Sequence, residues 1–239
     1  MLTLIAHIAL TGVCCIALPT AWATAVAVDV GHSLARPGAI SARGMTEFEF
    51  KRGLALALQR ALEAHGFKVS LIGAQGDMAE LRGRTAAAAE ADFFLSIHHD
   101  SVQSHYLEDW QPDGERRHFS DRFSGFSLFV SRLNPHLSTS LACASAIGTA
   151  LRQAGFKPSP HHAELIPGEN RPFADAPNGV HYFDELVVLK TATQAAVLVE
   201  AGIIVNRADE LLLREPVTHA KIAAAIAGAV RGCLASQST

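Results

Sequence analysis

Three apolar segments of the chain are each followed, near the point where a buried strand would end, by a side chain that can bind metal or move protons. The pairs are residues 25–30 with His32, residues 92–97 with His98, and residues 196–199 with Glu200. Imidazole and carboxylate groups are common zinc ligands and common general acids and bases. The pattern therefore predicts a metal or catalytic site assembled at strand ends.

A hydrolytic zinc site is the specific chemistry that these residues predict. Such sites commonly use three His or carboxylate ligands and keep the fourth position for water. We take His32, Glu47 and His98 as the candidate ligands, because the segment 33–45 contains Pro and Gly and can fold Glu47 back toward His32. Glu200 is the candidate for proton transfer, since burial at a strand end would raise its pKa toward the working range.

Each of these residues also has a purely structural interpretation. A His after a strand is often a hydrogen-bonded structural residue. Glu47 could stabilise a helix N-terminus through the helix dipole, and Glu200 could pair with an arginine. The chain has no short zinc motif such as His-Glu-x-x-His. The metal-site hypothesis therefore depends on several polar residues coinciding at strand ends.

The elements expected to position this site alternate strand and helix. Predicted strands cover residues 25–30, 68–72, 92–97, 125–131, 186–189 and 196–199, and predicted helices cover residues 46–65, 78–91, 140–155 and 218–235. The strand at 92–97 is apolar on both faces, as in sheets covered by helices on both sides. We predict a single α/β domain with three α/β/α layers and a mostly parallel, mixed sheet of about six strands, whose carboxyl ends form the site.

The first 23 residues have the properties of a secretory signal peptide. They contain no Lys, Arg, Asp or Glu, their apolar core is short for a bilayer, and they end in the small-x-small sequence Ala21-Trp22-Ala23. We predict a signal peptide at residues 1–23, a catalytic domain at residues 24–239 without a stable membrane span, and a periplasmic or secreted location. An uncleaved anchor is one alternative, because the basic n-region is missing, and lipidation at Cys14 or Cys15 is another.

The composition limits the kinds of partner that the chain can bind and bears on the redox state of its cysteines. A formal net charge of −3 predicts no nucleic-acid partner. Cys143 and Cys233 are the two cysteines of the mature chain. They could pair in an oxidising compartment, and two separate buried thiols are at least as good an interpretation.

Two long segments, residues 101–124 and 157–184, interrupt the alternation. Connections of this length are usually functional or disordered. Both are rich in groups that could line a substrate groove, and we take His162 and Arg171, together with His99, as candidate substrate contacts. Segment 157–184 could also act as a lid. The alternative is that both segments are solvated loops with incidental charges.

Six short motifs occur in a fixed order along the mature chain. They are Asp29-Val30-Gly31-His32, Gly38-Ala39, Gly44-Met45-Thr46-Glu47, Leu81-Arg82-Gly83-Arg84, Phe94-Leu95-Ser96-Ile97-His98 and Leu198-Val199-Glu200-Ala201-Gly202. In this order they resemble the zinc-dependent N-acetylmuramoyl-L-alanine amidases of the AmiA, AmiB and AmiC type. The resemblance extends from residue 26 to about residue 213.

The resemblance implies a site and a reaction. The residues at the family's ligand positions are His32, Glu47 and His98, which would bind one zinc ion, and Glu200 stands at the position of the catalytic carboxylate. The substrate implied is peptidoglycan, cut at the amide between the lactyl group of N-acetylmuramic acid and L-alanine of the stem peptide. Members of the family are often controlled by a protein activator. The alternatives are a non-catalytic peptidoglycan-binding or activator protein and a zinc carboxypeptidase acting within the stem peptide.

The chain departs from the family at residues 99 and 100. The family usually continues with a small residue and Asn, whereas this chain has His99 and Asp100. Side chains alternate along a strand, so His99 should point away from His98 and should not be a metal ligand. Asp29 and Arg84 fit the family pattern, and we expect structural roles for both. The acidic helix that occludes the zinc in some members has no obvious counterpart here.

Overall fold

Seven strands form the central sheet of the protein. The computed structural model describes residues 23–237, so the predicted signal peptide, apart from Ala23, lies outside the described residues. The strands are β1 (Ala25–Val30), β2 (Lys68–Ile72), β3 (Phe93–Asp100), β4 (Glu108–Trp110), β5 (Arg117–Phe119), β6 (Ser127–Val130), β7 (Phe173–Asp175), β8 (Val180–Tyr182) and β9 (Ala195–Ile203). The order in the main sheet is β2-β1-β3-β9-β6-β8-β7, while β4 and β5 form a separate antiparallel pair.

Helices cover both faces of this sheet. They are α1 (Glu47–Ala64), α2 (Leu81–Ala87), α3 (Leu137–Gln153), α4 (Val187–Thr191), α5 (Arg207–Arg214) and α6 (Pro216–Ser236). Helices α1, α3 and α6 pack together on one face, and α2 packs with α4 on the other. The predicted three-layer fold is confirmed, with seven strands in the main sheet instead of about six. Within residues 23–237, none of the helices is long and apolar enough to cross a membrane.

Alternation along the central strands divides the core and positions the site. Phe93, Leu95 and Ile97 of β3 belong to the core under α1, α3 and α6, whereas Phe94 belongs to the smaller core under α2 and α4. His98 has the same parity as Phe94 and therefore faces the α2 and α4 side. Strands β1, β3 and β9 are mutually parallel, so their carboxyl ends meet at one edge of the sheet.

Some predicted elements are wrong in type or extent. Residues 186–189 were predicted as a strand, but α4 occupies Val187–Thr191, because a short apolar run fits either a strand or a buried helix. Segment 157–184 is not one long irregular connection, since β7 and β8 within it extend the sheet. Strands β7 and β8 are fixed in the sheet, which argues against a lid formed by the whole segment. The Ala-rich helix predicted at 78–91 is shorter, and the sequence prediction missed α5.

A disulfide joins α3 to α6. Cys143 and Cys233 are bonded, with their Cα atoms 5.3 Å apart and a separation of 90 positions in sequence. The bond lies within the core that α1, α3 and α6 share. A structural disulfide is typical of proteins that fold in oxidising compartments.

We expect removal of this disulfide by the double substitution Cys143→Ala and Cys233→Ala to lower the free energy of unfolding by about 2–4 kcal/mol. The physical reason is that the bond restricts the unfolded chain over a long loop. Urea unfolding with and without reductant measures the effect. Reductant should destabilise the wild-type chain and leave the double variant unchanged; equal stability of the two chains without reductant would contradict the prediction.

Candidate metal and catalytic site

Three candidate ligands converge where β1 and β3 end and α1 begins. His32 Nε2 lies 2.9 Å from Glu47 Oε2, and His98 Nδ1 lies 3.0 Å from Glu47 Oε1. If one ligand atom is taken from each of the three residues, these atoms all lie within 4.8 Å of one another. The structure therefore brings together His32, Glu47 and His98, the three ligands proposed from sequence.

Glu47 is placed by the start of α1. Thr46 caps the helix, and its side chain and that of Glu49 form a reciprocal capping box, as the spacing Thr46 to Glu49 predicts. This cap fixes Glu47 as the first helical residue, where it is only 3% exposed. Its Oε2 also accepts a hydrogen bond from the backbone N–H of Ala39 at 3.1 Å. Both carboxylate oxygens therefore have partners, with Oε2 near His32 and the Ala39 N–H and Oε1 near His98.

Two glycines allow the ligands to approach one another. A Cβ atom at Gly31 would lie 2.0 Å from His98 Nε2, and one at Gly38 would lie 2.2 Å from Glu47 Oε2. Gly38 also has a φ of +82°, which favours glycine. His32 itself has a φ of +55°, an uncommon conformation for a residue with a side chain. Such local strain is often found at functional sites.

We expect Gly31→Ala to lower metal affinity by about 10–100-fold, the range found when groups that orient metal ligands are changed. The added methyl group would occupy the space of the His98 ring and force the imidazole away from Glu47. Gly228→Ala is a matched control, because a Cβ atom there has no neighbour within 4 Å. Competition with a chelator of known affinity measures the change. Equal affinity in the Gly31 and Gly228 variants would contradict the steric argument.

The charge states of the ligands suit a metal ion. Burial lowers the pKa of His98 to about 4, which keeps its imidazole neutral near pH 7. Burial opposes ionisation of Glu47, but hydrogen bonds with His32 and His98 and the charge of Lys51 hold its pKa well below the usual value. A metal ion needs a deprotonated carboxylate and neutral imidazoles.

Glu200 lies beside the three candidate ligands. It is the direct neighbour of His98 in the parallel pairing of β3 with β9. It lines a cavity of about 400 Å³ together with His32 and His98. Its Oε2 atom is buried and makes no hydrogen bond to the described residues. Burial, with the charges of Asp100 and Glu47, raises the pKa of Glu200 well above its usual value, in the direction predicted from sequence.

An ion pair beneath the site supports the loop that carries His32. Arg84 Nη1 lies 2.6 Å from Asp29 Oδ1, and Ser96 donates to Asp29 Oδ2 at 2.7 Å. The Arg84 guanidinium also donates to the backbone carbonyls of Val30 and His32. Both Asp29 and Arg84 are buried. Their contacts fit the structural roles expected for them.

Lys51 is a buried residue of the site that the sequence prediction missed. Its ammonium group is fully buried and lies 2.8 Å from Glu47 Oε1, one helical turn along α1. Burial lowers the pKa of Lys51, while the charge of Glu47 opposes that effect. The available signal was the spacing of four residues between a Glu and a Lys, but on a helix this usually indicates a surface pair.

His99 points to the opposite side of the sheet from His98. Its ring is 1% exposed and lies against Phe50, with 5.7 Å between the ring centroids. Burial lowers its pKa to about 3, and neither ring nitrogen has a hydrogen-bond partner among the described residues. His99 is therefore placed as a buried core residue, which argues against the substrate contact expected for it.

His162 and Arg171 lie in a neighbouring cavity of about 290 Å³, which Glu200 also lines. Both ring nitrogens of His162 are engaged, with Nδ1 at 2.8 Å from Glu169 and Nε2 at 2.8 Å from Asp100. Burial lowers the pKa of His162, but the two carboxylates outweigh burial and raise it to about 9. Arg171 pairs with Glu169 and stacks on Phe183, 4.0 Å from the ring centroid. His162 and Arg171 are thus both held by neighbouring side chains, and both border this cavity.

The donor atoms fit zinc. Two imidazole nitrogens and one carboxylate oxygen are a common ligand set of catalytic zinc sites, which leave a further position open. One such atom from each of His32, Glu47 and His98 lies within 4.8 Å of the other two.

Comparison with known proteins gives a consistent result. A family model described as N-acetylmuramoyl-L-alanine amidase matches residues 26–232. A search of curated proteins finds no significant match. Solved structures of similar fold include the N-acetylmuramyl-L-alanine amidase Ami1 from Mycobacterium smegmatis, with 22% identity over 90% of this chain and 98% of that chain and a TM-score of 0.71.

Two further solved structures share the fold. The catalytic domain of the amidase CwlV from Bacillus (Paenibacillus) polymyxa var. colistinus is 23% identical, covers 89% of this chain and 98% of its own, and has a TM-score of 0.66. The CwlD amidase from Clostridioides difficile, solved in complex with the GerS lipoprotein, is 18% identical, covers 89% of this chain and 99% of its own, and has a TM-score of 0.64. At these identities the similarity concerns the fold.

Proposed function

The chain belongs to the N-acetylmuramoyl-L-alanine amidase family, and on that premise we propose that His32, Glu47 and His98 hold one zinc ion and that Glu200 is the catalytic carboxylate. The family's reaction is hydrolysis of the amide between the lactyl group of N-acetylmuramic acid and L-alanine in peptidoglycan. One observation carries the assignment of residues. Three metal-binding atoms converge at a sheet edge, beside a buried carboxylate oxygen that has no hydrogen-bond partner among the described residues.

The zinc ion, when bound, would polarise the lactyl carbonyl and make a water molecule more acidic. The residues of the chain perform the remaining steps. Glu200 Oε2 accepts a proton from the attacking water and then returns it to the departing alanine nitrogen. A raised pKa suits both steps, because a general base and acid works best with a pKa near the working pH.

Glu47 and Lys51 would keep the site in one geometry during the reaction. Glu47 is held by contacts on both oxygens, and Lys51 balances its charge from the buried side. Arg171, on the wall of the neighbouring cavity that Glu200 also lines, is our proposed contact for a carboxylate of the stem peptide. An arginine is suited to this role because its planar group binds carboxylates with directed hydrogen bonds.

We further propose a periplasmic or secreted location with peptidoglycan as the main partner. The composition of residues 1–23 and the Cys143–Cys233 disulfide support this location. A protein activator is also proposed, by analogy with the complex of the CwlD amidase with the GerS lipoprotein. Co-purification from cell envelopes with a tagged Glu200→Gln variant would identify such an activator.

A digest of purified muropeptides, analysed by mass spectrometry, tests the proposed function. We expect release of intact stem peptides and of glycan with free lactyl groups. A chelator should stop the reaction and added zinc should restore it, because the ligands lose their ion and regain it. Release of single amino acids from the stem would instead indicate a carboxypeptidase. Bound fragments without cleavage would indicate a non-catalytic binding protein.

A further inference from the structure

A second group of metal-binding side chains lies outside the site described above. Asp100, His161 and His162 each offer one ligand atom, and these atoms all lie within 4.8 Å of one another. His162 Nε2 is 2.8 Å and His161 Nε2 is 3.3 Å from the same atom, Asp100 Oδ2. None of these three residues is a proposed ligand of the first zinc ion or takes part in the proposed proton transfer.

The nitrogen atoms on the far side of both rings are held by hydrogen bonds. His162 Nδ1 lies 2.8 Å from Glu169 Oε2, and His161 Nδ1 lies 2.8 Å from Ser159 Oγ. Metal-binding histidines almost always have their second nitrogen held in this way, by a carboxylate or another oxygen, which fixes the ring and its tautomer. In this arrangement both Nε2 atoms are directed at one point beside Asp100.

An unsatisfied atom indicates that hydrogen bonding alone does not account for the cluster. His161 is 2% exposed, and its Nε2 atom has no hydrogen-bond partner among the described residues despite its proximity to Asp100. A buried polar nitrogen without a partner destabilises a protein. A cation between the rings and the carboxylate would give His161 Nε2 a partner, and it would be shared with His162 Nε2 and Asp100 Oδ2.

The local backbone and the charge balance favour a cation. His161 and His162 lie in a short 3-10 helix after Pro160, and the backbone N–H of Ser159 donates to the carbonyl of Phe126, the residue before β6. The surrounding groups are the carboxylates of Asp100 and Glu169, the imidazole of His162 and the guanidinium of Arg171. A divalent cation would displace the proton between His162 Nε2 and Asp100, and the carboxylates of Asp100 and Glu169 would balance its charge.

We propose that Asp100, His161 and His162 form a second metal-binding site, which would take zinc or a similar divalent transition-metal ion. Two imidazoles and a carboxylate suit such ions better than they suit Mg²⁺ or Ca²⁺, which prefer oxygen ligands. The ligands lie next to a cavity that Glu200 also lines, so the two proposed ions would border cavities that share Glu200. The inference concerns metal binding and does not depend on the proposed reaction.

Counting bound ions tests the second site. The purified full chain is stripped with a chelator, reloaded with zinc, passed through a desalting column and analysed by elemental mass spectrometry. We expect two zinc ions per chain in the wild type, one in His32→Ala, and one in the double variant His161→Ala and His162→Ala. His118→Ala, at an exposed histidine outside both clusters, is the matched control and should keep two.

The outcomes separate this inference from the proposed function. One ion in the wild type that is lost in His32→Ala would overturn the second site and leave the proposed function intact. One ion that persists in His32→Ala and is lost in the His161 and His162 variant would support the second site and contradict the first. Should a variant fail to fold, stepwise titration of the metal-free wild type with cobalt(II) gives the count from the absorbance, and saturation at one ion per chain would overturn the proposal.

Discussion

Glu200→Gln is expected to lower the rate of peptidoglycan hydrolysis by about 10²- to 10⁴-fold, the usual contribution of a general acid or base. The glutamine amide has nearly the same shape as the carboxyl group, but it cannot accept the proton of water. Glu200 is not one of the three residues whose ligand atoms converge, so the zinc content of the variant should stay at the wild-type level. Dye release from labelled cell walls and elemental analysis of the same sample measure the two effects.

The stability of this variant provides a second readout. Burial of Glu200, together with the charges of Asp100 and Glu47, disfavours its ionised form. A glutamine is neutral like the protonated carboxyl group, so unfolding of the metal-free variant should not occur at a lower temperature than in the wild type. Loss of activity without loss of metal or stability is then a chemical effect. Glu185→Gln, at a side chain that is 83% exposed, is the control and should keep full activity.

Residual activity of Glu200→Gln at more than about a tenth of the wild-type rate would remove Glu200 from the role of base. The role would then pass to another group near the cavity. His32 and Glu47 would be excluded by loss of zinc in their own variants.

The sequence allowed prediction of the residues whose position follows from regular structure. His98 and Glu200 stand at the ends of two apolar strands, and parallel pairing brings such ends together at one edge of a sheet. Glu47 follows a capping sequence that fixes the start of a helix. Alternation and caps are determined over a few residues, and the alternating order of strands and helices makes parallel pairing the expected arrangement. The three-layer fold was predictable for the same reason.

Features that depend on contacts across the fold were not predictable in the same way. The cluster of Asp100 with His161 and His162 joins the end of β3 to a short 3-10 helix about 60 residues later, and no spacing rule connects them. The disulfide was left open because nothing in the sequence places α3 beside α6. The apolar run at 186–189 was assigned to the wrong element, since four apolar residues do not define a period.

Glu47 has two roles that a single substitution would remove together. It is a candidate ligand, and it is also the counter-ion of Lys51, whose ammonium group is fully buried. Its other contacts include the backbone N–H groups of Ala39 and His99. A buried lysine without its carboxylate must either remain charged in an apolar environment or lose its proton, and both states are unfavourable. The metal-binding role and the structural role can be separated by a second substitution.

Glu47→Gln is expected to abolish zinc binding and also to destabilise the metal-free chain by about 3–5 kcal/mol, the usual result of removing one partner of a buried ion pair. His98→Ala should abolish zinc binding with the Lys51 pair intact, so it lacks the destabilisation that comes from an unpaired ammonium group. Urea unfolding of the metal-free proteins measures stability, and elemental analysis measures zinc. Equal stability of Glu47→Gln and the metal-free wild type would contradict the ion-pair argument.

The double variant Glu47→Gln with Lys51→Met decides between the two roles. Methionine has a volume close to that of lysine and carries no charge, and replacing a whole buried ion pair by apolar or neutral groups is often neutral or stabilising. We therefore expect the double variant to recover most of the stability lost in Glu47→Gln, while zinc binding and hydrolysis stay absent. Recovery of stability without zinc binding would separate the two roles of Glu47. Its negative charge balances Lys51, and its carboxylate binds the metal. If the double variant were as unstable as Glu47→Gln, the loss would instead come from the hydrogen bonds of Glu47 to the backbone of Ala39 and His99.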